Sequence, residues 1–545
     1  MSRGSDSRML ERLEGEPPWM KRPLVAYLLR SSGAIILCIL LFVLYGFFLS
    51  HTVDLVTADL GRHIKNGEVL LHDASVLEEN YYSYTHPDFH VINHHWGIGF
   101  LFYGAWELFG FVGVQLFFIL LSLAAFFAFL KTARLYTGWG IAGLAAIPAI
   151  FLLAERTEIR PEVFSYLFAG IFFYVLCRHR ESVIQENTDD RQYFLVGRTL
   201  WLLPIVQILW VNSHIYFLLG PLILGAFLLE SLLVRRQYFL RLLGVFAALL
   251  VATLLNPFGY RAVSETAKIF QNYGYRLAEN QSVWFMEKLT RDPSFVIFKL
   301  IFAAVVVSLC IVLVKRWREV RLAHIFVLAG ISIMAWLAIR NLALFGLFSI
   351  PFIAANVGTI FRQNISERTA LHGALWAAAI LLALSAIFTL PRYFPYWNEF
   401  GWGLQSGNDV PMAFIKEHKI HGPYFNNYDI GGYLIFHLFP DEKVFVDNRP
   451  EAYPAQFFQE VYIPMQEDDT IWRQKLEEYK FNAIIFSHRD ATPWGQQFLV
   501  ARVRDAEWAP IFVDARVLIL VRRTEENGPL IEQFLLPPET FGLPQ

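Results

Sequence analysis

The stretch HTVDLVTADLGRHIKNGEVLLHDASVLEENYYSYTHPDFHVINHHWGIGFLFYGAWELFG, residues 51–110, is the feature around which this sequence is organised. It is the longest polar segment between the apolar runs and the richest in ionisable groups. It carries a series of acids, a tyrosine cluster and a histidine pair: Asp54, Asp59, Glu68, Asp73, Tyr81, Tyr82, Tyr84, His94 and His95. We predict that this loop holds the functional site and that the apolar segments build a wall around it.

The composition is that of a polytopic membrane protein. Of the 545 residues, 55% are hydrophobic and only 17% are charged, whereas soluble domains carry about 25% charged residues. The mean hydropathy is +0.40, and many apolar runs have the length that a membrane-spanning helix needs. The three cysteines, Cys38, Cys177 and Cys310, lie in apolar runs, so they predict neither a disulfide framework nor a zinc site.

The distribution of Lys and Arg predicts the topology. The polar, basic start (1–31) has no small-residue cleavage site, so we expect an uncleaved cytoplasmic segment and a loop 51–110 on the outer face. Residues 94–109 are apolar but short, and we interpret them as a re-entrant or surface helix of that loop. Eleven spans are predicted, at about 32–50, 111–130, 138–154, 162–177, 199–212, 215–234, 242–255, 294–314, 322–339, 342–361 and 369–390.

The last part of the chain, 391–545, has the composition of a soluble domain on the outer side of the transmembrane domain (32–390). Strands are predicted for HGPYFNN, EKVFVDNR and YKFNAIIFSH, and a closing hairpin for IFVDARVLILVRR. Helices are predicted for GGYLIFHLF, AQFFQEVYI and TIWRQKLEEY. This alternation indicates a small α/β domain. The domain has no glycine-rich nucleotide motif and no basic–aromatic run, so we predict no nucleic-acid partner.

Several motifs resemble, in order, those of bacterial GT-C-type membrane glycosyltransferases. In the first loop they are DLGRHIKNGEVL, NYYSYTHP and NHHWG. EIRPEVFSYLF, ILWVNSHIYFLLG, LLNPFGYR and RNLALFGLFSIPFIAAN follow, and YFNNYDIGGYLIFHLFP and VFVDNRPEAYP lie in the tail. The resemblance implies transfer of a sugar from a polyprenyl-phosphate or diphosphate carrier to a glycan, lipid or protein acceptor, at the outer face of the bacterial inner membrane. It implies contact with membrane lipids and no required cofactor, although a divalent cation is compatible with a diphosphate leaving group.

By its position, the resemblance assigns the catalytic role to Asp59. An acid early in the first outer loop serves such enzymes as general base or acceptor ligand, and a carboxylate can take the proton of an acceptor hydroxyl. Members often show a second acid beside it, whereas this chain has Ala58 and Leu60. The alternative is structural, because Asp59 precedes a stretch with helical spacing and aspartate is a favoured N-cap residue.

Three arginines are candidate ligands of the leaving phosphate. Arg156 and Arg160 flank the second outer loop, and Arg340 lies between two apolar spans, where a charge is costly and often functional. A guanidinium offers phosphate a planar fork of donors. The alternative for Arg340 is that it is an intramembrane partner of one of the loop acids. For Arg156 and Arg160, the alternatives are that they anchor the chain at the lipid boundary or pair with neighbouring glutamates. Those glutamates are Glu155, Glu158 and Glu162.

The remaining substrate-binding candidates are Asp54, His63, His94, His95, Asn212 and His214. Adjacent histidines point to different sides of a helix or strand, and the helical spacing of a zinc pair is missing, so we predict no metal site. Polar residues at the end of a span, such as Asn212 and His214, are also expected without any function. In the tail, Asp447 and Arg449 most simply form a structural ion pair.

A non-catalytic protein is the main alternative from another class. It would use the same scaffold to bind a lipid-linked glycan or to assemble a cell-envelope complex, and the missing second acid favours it. A transporter is a weaker alternative, because the intramembrane charges are few and the two halves do not repeat.

Overall fold

The computed structural model describes residues 23–56, 58–184, 197–234, 236–268, 271–361 and 399–542. Up to residue 361 the regular structure of these residues is helical, and from residue 399 a smaller region adds a β-sheet. The predicted eleventh span and most of the predicted cytoplasmic segment lie outside the described residues. A helical region followed by an α/β region is the architecture that the sequence predicts.

The helices of the first region follow its apolar runs. The ends carry the expected signals in the helix Pro293–Arg316, where the Asp292 side chain accepts the backbone N–H of Ser294, and Lys315 and Arg316 occupy the last turn. The α-helices are α1 (Pro23–Leu49), α2 (Leu60–Leu70), α3 (Trp96–Ala133), α4 (Trp139–Leu153), α5 (Glu162–Ile184), α6 (Leu202–Val211), α7 (Leu219–Val234), α8 (Arg236–Thr253), α9 (Arg261–Ala267), α10 (Val283–Leu289), α11 (Pro293–Arg316), α12 (Leu322–Leu337) and α13 (Leu342–Ile360).

Several of these helices have the character of membrane spans. Within the described residues, four helical segments are long and apolar enough to cross a membrane: Trp96–Ala133, Ile215–Leu233, Pro293–Glu319 and Ile339–Ile360. Shorter apolar helices are Ala34–Leu49, Trp139–Leu153, Gly197–Val211, Tyr238–Thr253 and Leu322–Leu337. Each of these segments overlaps a predicted span, but their lengths do not confirm a count of eleven.

Helix α3 joins two segments that the sequence separates. Its 38 residues would extend about 57 Å at 1.5 Å per residue, nearly twice the hydrocarbon thickness of a bilayer. The backbone is non-helical at Phe109 and Gly110, and Gly110 has φ +60°. The break coincides with the end of the predicted surface helix 94–109, so the first half of α3 belongs to the loop and the second half to the predicted span.

The α/β region is built on a four-stranded sheet of order β1-β2-β4-β3. Strand β1 pairs with β2 in parallel, whereas β4 pairs antiparallel with β2 and β3. The strands are β1 (Tyr424–Asn426), β2 (Ala483–Ser487), β3 (Trp508–Val513) and β4 (Val517–Arg522). The α-helices are α14 (Val410–Glu417), α15 (Gly431–Leu438), α16 (Pro464–Glu467), α17 (Asp469–Tyr479), α18 (Pro493–Val503) and α19 (Gly528–Phe534). A π-helical segment spans Phe457–Tyr462.

The two faces of the sheet are buried against different cores. Alternate residues such as Ile485 and Ile519 join the hydrophobic cluster that runs through the first region. Their neighbours, such as Phe486 and Leu518, pack into a second cluster that contains Trp472. Because side chains alternate between the faces of a strand, this arrangement explains why the strands are apolar throughout.

The predicted strand EKVFVDNR is wrong, because this segment does not join the four-stranded sheet. Its Val444 forms an isolated bridge with Ser83 of the first loop. The side chain of Asn426 accepts the N–H of Phe445 and donates to the carbonyl of Val446. The backbone groups that a sheet neighbour would pair are therefore bonded to the loop and to an amide side chain.

These bonds attach the α/β region to the first loop. Val444 donates its N–H to the carbonyl of Tyr82, and Tyr84 donates its N–H to the carbonyl of Val444. The hydroxyl of Tyr84 also donates to the carbonyl of Tyr424, at 2.6 Å. At the other end of the loop, Asp54 accepts Arg489 at 2.8 Å.

Two glycines at the start of α15 permit the closest approach. A Cβ at Gly431 would lie 2.5 Å from the Cα of Asp447, and one at Gly432 would lie 3.2 Å from the carbonyl oxygen of Ala58. The segment that contains Asp447 therefore packs tightly between α15 and the first loop.

We expect Gly431→Ala to destabilise the protein by about 1–3 kcal/mol, because the new methyl group overlaps backbone that cannot move independently. The measurement is the apparent melting temperature of the purified full-length chain in detergent. Gly528→Ala is the matched control, because a Cβ there meets nothing within 4 Å. An equal melting temperature for the two variants would contradict the tight contact.

Candidate active site

A cavity of about 380 Å³ lies where the first loop meets the α/β region, within the size range of small-molecule sites. Its walls include residues of the first loop, the loop after α4, the turns after α6 and α12, the stretch from α9 to residue 280 and the turn that follows Val446. Of the ten candidates that the sequence predicts, seven line it: Asp59, His63, His94, His95, Arg160, His214 and Arg340. The fold therefore brings together residues that are widely separated in the sequence.

Asp59 occupies the N-cap position of α2, and its carbonyl accepts the N–H of His63 at 3.1 Å. The carboxylate makes no capping hydrogen bond among the described residues. It accepts instead from the side-chain amide of Asn448 in the α/β region, and it lies 4.0 Å from a guanidinium nitrogen of Arg62. Burial raises the pKa of Asp59 against the opposing charges of Arg160 and Arg62.

The three candidate arginines converge on one carboxylate, that of Glu279. Arg156 and Arg160 donate to the same oxygen at 2.9 and 2.8 Å, and Arg340 lies 3.5 Å from the other oxygen. Arg340 also donates to the side chain of Asn280 at 3.0 Å, while its buried Nε has no hydrogen-bond partner among the described residues.

Neighbouring glutamates complete this cluster, as the structural alternative predicts. Glu162 accepts two nitrogens of Arg156, both at 2.7 Å, and Glu158 accepts Arg160 at 2.7 Å. Arg156 is therefore held behind the cavity wall, whereas Arg160 and Arg340 reach the wall itself.

The charge of Glu279 is stabilised by its neighbours. Burial disfavours the charged carboxylate, but Arg160, Arg340 and Arg156 together outweigh burial and hold the pKa of Glu279 far below its ordinary value of 4.5. Glu279 is therefore an anion at every physiological pH, and the cluster is held together by charge.

A group of histidine rings forms another part of the wall. The ring of His95 lies 5.4 Å from that of His63 and 5.1 Å from that of His214, between ring centres. His94 contacts Phe258 instead, so the two adjacent histidines do face different neighbours. Burial, with the nearby Arg62, holds the pKa of His63 well below 6.5, which leaves a neutral ring that can both donate and accept.

No group of three or more His, Cys, Asp or Glu side chains in the described part of the chain is arranged to hold a metal ion. The nitrogens Nδ1 of His63 and His94 are buried and lack a partner among the described residues, and they are available to a bound hydroxyl group.

Three predicted site residues lie outside the cavity lining, and their predicted contact with substrate stays a prediction. Arg156 is bound by Glu162 and Glu279. Asp54 accepts Arg489 and Asn408, the latter at 2.9 Å, and so fastens the loop to the α/β region. Asn212 accepts the indole N–H of Trp96 at 3.2 Å and donates to the carbonyl of Leu255 at 2.9 Å.

The structure adds three polar residues that the sequence analysis did not select. Arg62 lies three residues after Asp59 within DLGRH, and Asn448 lies within the motif VFVDNRPEAYP, so both had a nearby signal. Glu279 had none, because it follows no periodic pattern and contacts its arginines across more than 60 residues. The predicted ion pair of Asp447 with Arg449 is confirmed, at 2.6 Å.

No protein-family model and no curated protein sequence matches this chain. Solved structures do resemble it. The archaeal oligosaccharyltransferase AglB from Archaeoglobus fulgidus, in complex with an inhibitory peptide and a dolichol-phosphate, superposes with a TM-score of 0.57 at 12% identity, over 88% of this chain and 71% of that chain. The same enzyme tethered with an acceptor peptide that contains the NVT sequon gives 0.57 at 12% identity, over 94% and 75%.

ArnT from Cupriavidus metallidurans in the apo state gives a TM-score of 0.51 at 13% identity, over 93% of this chain and 99% of that chain. At such identities the likeness concerns the fold. The chain therefore has the GT-C fold of membrane glycosyltransferases. The resemblance drawn from the sequence motifs is confirmed at that level.

We expect Glu279→Gln to lower the stability of the protein by about 1–3 kcal/mol at neutral pH, since three guanidinium groups lose a charged acceptor. The depressed pKa sets the pH dependence. The stabilisation that charged Glu279 supplies is complete above the pKa of this residue in the unfolded chain, about 4.5. It is lost as the pH falls through the lower pKa of Glu279 in the folded chain. The melting temperatures of wild type and variant should therefore converge in acid.

Glu265→Gln is the matched control. Glu265 also lines the cavity but pairs with exposed Lys268, and exposed pairs contribute little to stability. A loss of stability in this control equal to that in Glu279→Gln would contradict the prediction that Glu279 stabilises the protein through its three arginines.

Proposed function

We propose that this chain is an integral membrane glycosyltransferase that moves a sugar from a polyprenyl-phosphate or diphosphate carrier to an extracytoplasmic acceptor. The observation that carries the proposal is the placement of Asp59, Arg160 and Arg340 on the wall of one cavity. A carboxylate and two guanidinium groups are the complementary groups that displacement at a phosphate-linked carbon requires. The fold shared with AglB and ArnT supports the same proposal.

In the proposed reaction, an acceptor hydroxyl attacks the anomeric carbon of the donor sugar. The bond from that carbon to the phosphate oxygen breaks, and its electron pair stays on the phosphate. Asp59 takes the proton of the hydroxyl. A carboxylate whose pKa is raised is a stronger base than an ordinary aspartate, and burial raises the pKa of Asp59.

Arg160 and Arg340 are proposed to hold the leaving phosphate. Their positive charges lie where negative charge develops, in a partly buried wall, and such preorganised charges stabilise a transition state strongly. The unpartnered Nε of Arg340 supplies a donor that no residue of the described chain uses. The neutral rings of His63, His95 and His214 are proposed to bind sugar hydroxyl groups.

No soluble cofactor enters this mechanism. A structure of the A. fulgidus oligosaccharyltransferase with a TM-score of 0.52 to this chain contains Zn and sulfate, and a divalent cation is compatible with a diphosphate leaving group. The described residues contribute no three-ligand group to such an ion, so the test below includes a chelator.

Eleven spans, with the first loop and the α/β domain outside the bacterial inner membrane, are part of the proposal. The arrangement places the basic clusters 178–198, 235–241 and 315–321 inside, as the positive-inside rule favours. It also places the loop, the cavity and the α/β region on one side, which their hydrogen bonds require.

The second candidate is a non-catalytic protein that binds a lipid-linked glycan or organises a cell-envelope complex. It is favoured by the pairing of Arg156 and Arg160 with glutamates, and by the lack of a second acid beside Asp59 in the sequence. The two candidates differ in whether Asp59 is needed for turnover.

We expect Asp59→Asn to lower turnover by about 10²–10⁴-fold, the usual contribution of a general base, while donor binding persists. Arg160→Gln should instead weaken donor binding by about 10-fold or more, the worth of one charge-assisted hydrogen bond. The measurement uses purified protein in nanodiscs with a panel of radiolabelled polyprenyl-phosphate sugars, with and without EDTA. Bound donor and released lipid phosphate are counted separately.

The controls are Asp88→Asn in the first loop and Arg276→Gln in the segment 271–280, two exposed residues that lie outside the cavity lining. Both should behave as wild type. Binding without release in wild type would favour the second candidate, and no binding across the panel would contradict both.

For the topology, we expect a cysteine at Glu477 to react with a membrane-impermeant maleimide in intact spheroplasts, and a cysteine at Arg318 to react only after lysis. Both positions are exposed, and the three native cysteines would be replaced by serine. The opposite labelling pattern would place the α/β domain in the cytoplasm.

A further inference from the structure

Among the residues that the α/β region contributes to the cavity wall, Asn448 contacts Asp59. Asn448 lies 389 positions away from Asp59 in the chain, yet its side-chain amide donates to Oδ1 of that carboxylate. The same amide accepts the Nε–H of Arg62 through its oxygen, at 3.2 Å. Asn448 thus links an acidic side chain, Asp59, to a basic one, Arg62, in the cavity wall.

The chemistry of the two neighbours fixes the orientation of this amide. A guanidinium only donates hydrogen bonds and a carboxylate only accepts them. The oxygen of Asn448 must therefore face Arg62, and its NH₂ group must face Asp59. A flipped amide would place its NH₂ group against the donors of Arg62 and its oxygen against the carboxylate of Asp59. The amide therefore has a single orientation.

The backbone that carries Asn448 is held from both sides. Asp447 and Arg449 form a buried ion pair at 2.6 Å, and Arg449 also donates to the side chain of Asn80 in the first loop, at 2.9 Å. Tyr453 also restrains the turn, because its hydroxyl oxygen accepts the N–H of Asp447 at 3.0 Å. Asn448 is therefore presented by a fixed turn.

The glycine pair of α15 makes room for this side chain. A Cβ at Gly432 would lie 3.2 Å from the amide nitrogen of Asn448 and 3.2 Å from the carbonyl oxygen of Ala58. Two tail motifs, DIGGY and VDNRPEAYP, therefore meet the start of α2 at one point.

We propose that Asn448 is a positioning residue for Asp59, and that the α/β domain thereby completes the active site. The inference rests on the function proposed above. The amide holds Oδ1 of Asp59, whereas Oδ2 lies 4.0 Å from Arg62, beyond hydrogen-bond distance. The oxygen Oδ2 is thus the one that takes the acceptor proton, and the amide favours the charged form of the base that accepts it.

The test compares the pH dependence of lipid phosphate release in nanodiscs for wild type, Asn448→Ala and Asn448→Asp. Asp59 must be charged to accept a proton, so the rate rises with pH through its pKa. Loss of the donor raises that pKa, and the acid limb of kcat should move upward by about one pH unit. Asn448→Asp should move it further, because a like charge then faces Asp59. The donor KM should change less than kcat.

Asn482→Ala is the control for the loss of an asparagine hydrogen bond in the same region, since its side chain donates to the carbonyl of His421 far from the cavity. Its acid limb should match that of wild type. Folded protein with unchanged acid limbs in both Asn448 variants would overturn the inference and leave the proposed function standing. A wild type that binds donor but releases no lipid phosphate at any pH would overturn the proposed function itself.

Discussion

The cavity depends on the backbone pairing between the first loop and the segment around Val444. The N–H of Val444 is bonded to Tyr82, and the N–H of Tyr84 is bonded to Val444. Backbone bonds of this kind fix the register of two segments, because a shift by one residue would turn the side chains of one segment to the opposite face. The turn with Asn448 follows four residues after Val444, so the same pairing determines where that amide meets Asp59.

Charge balance is the second constraint on the site. Arg156, Arg160 and Arg340 are each mostly buried, and unpaired guanidinium groups in such a place would be costly. Glu279 lies among all three, and the neighbouring Glu158 and Glu162 complete the pairing. The cluster is neutral as a whole, yet its charges remain separated along the wall, where they can act on a ligand locally. A balanced cluster of this type can be folded without a bound anion.

The sequence predicts the parts of this site that depend on local signals. Asp59 is found because it is an acid early in the polar first loop, at the position that the motif resemblance marks, and Arg160 because it flanks a short loop between two apolar runs. The ion pair of Asp447 with Arg449 is found because the two residues are neighbours. The strand predicted over 442–449 is wrong for a related reason. The alternation of Val444 and Val446 with polar residues indicates an extended chain, but it does not tell whether the neighbour is a sheet strand or a loop. Glu279 and Asn448 contact partners that lie more than 60 residues away, and no local pattern encodes such a contact.

The identity of residue 448 follows from what already surrounds it. The guanidinium of Arg449 is bonded to Asp447 and to Asn80, so it has little to offer a further acid. A carboxylate at position 448 would have Arg62 as its single cationic partner, and it would face the carboxylate of Asp59. An apolar side chain at this position would remove the oxygen that accepts the Nε–H of Arg62. The amide of Asn448 meets a donor and an acceptor at the same time without adding charge. The carboxylate of Asp59 is thereby held in place without the repulsion that a second acid would bring.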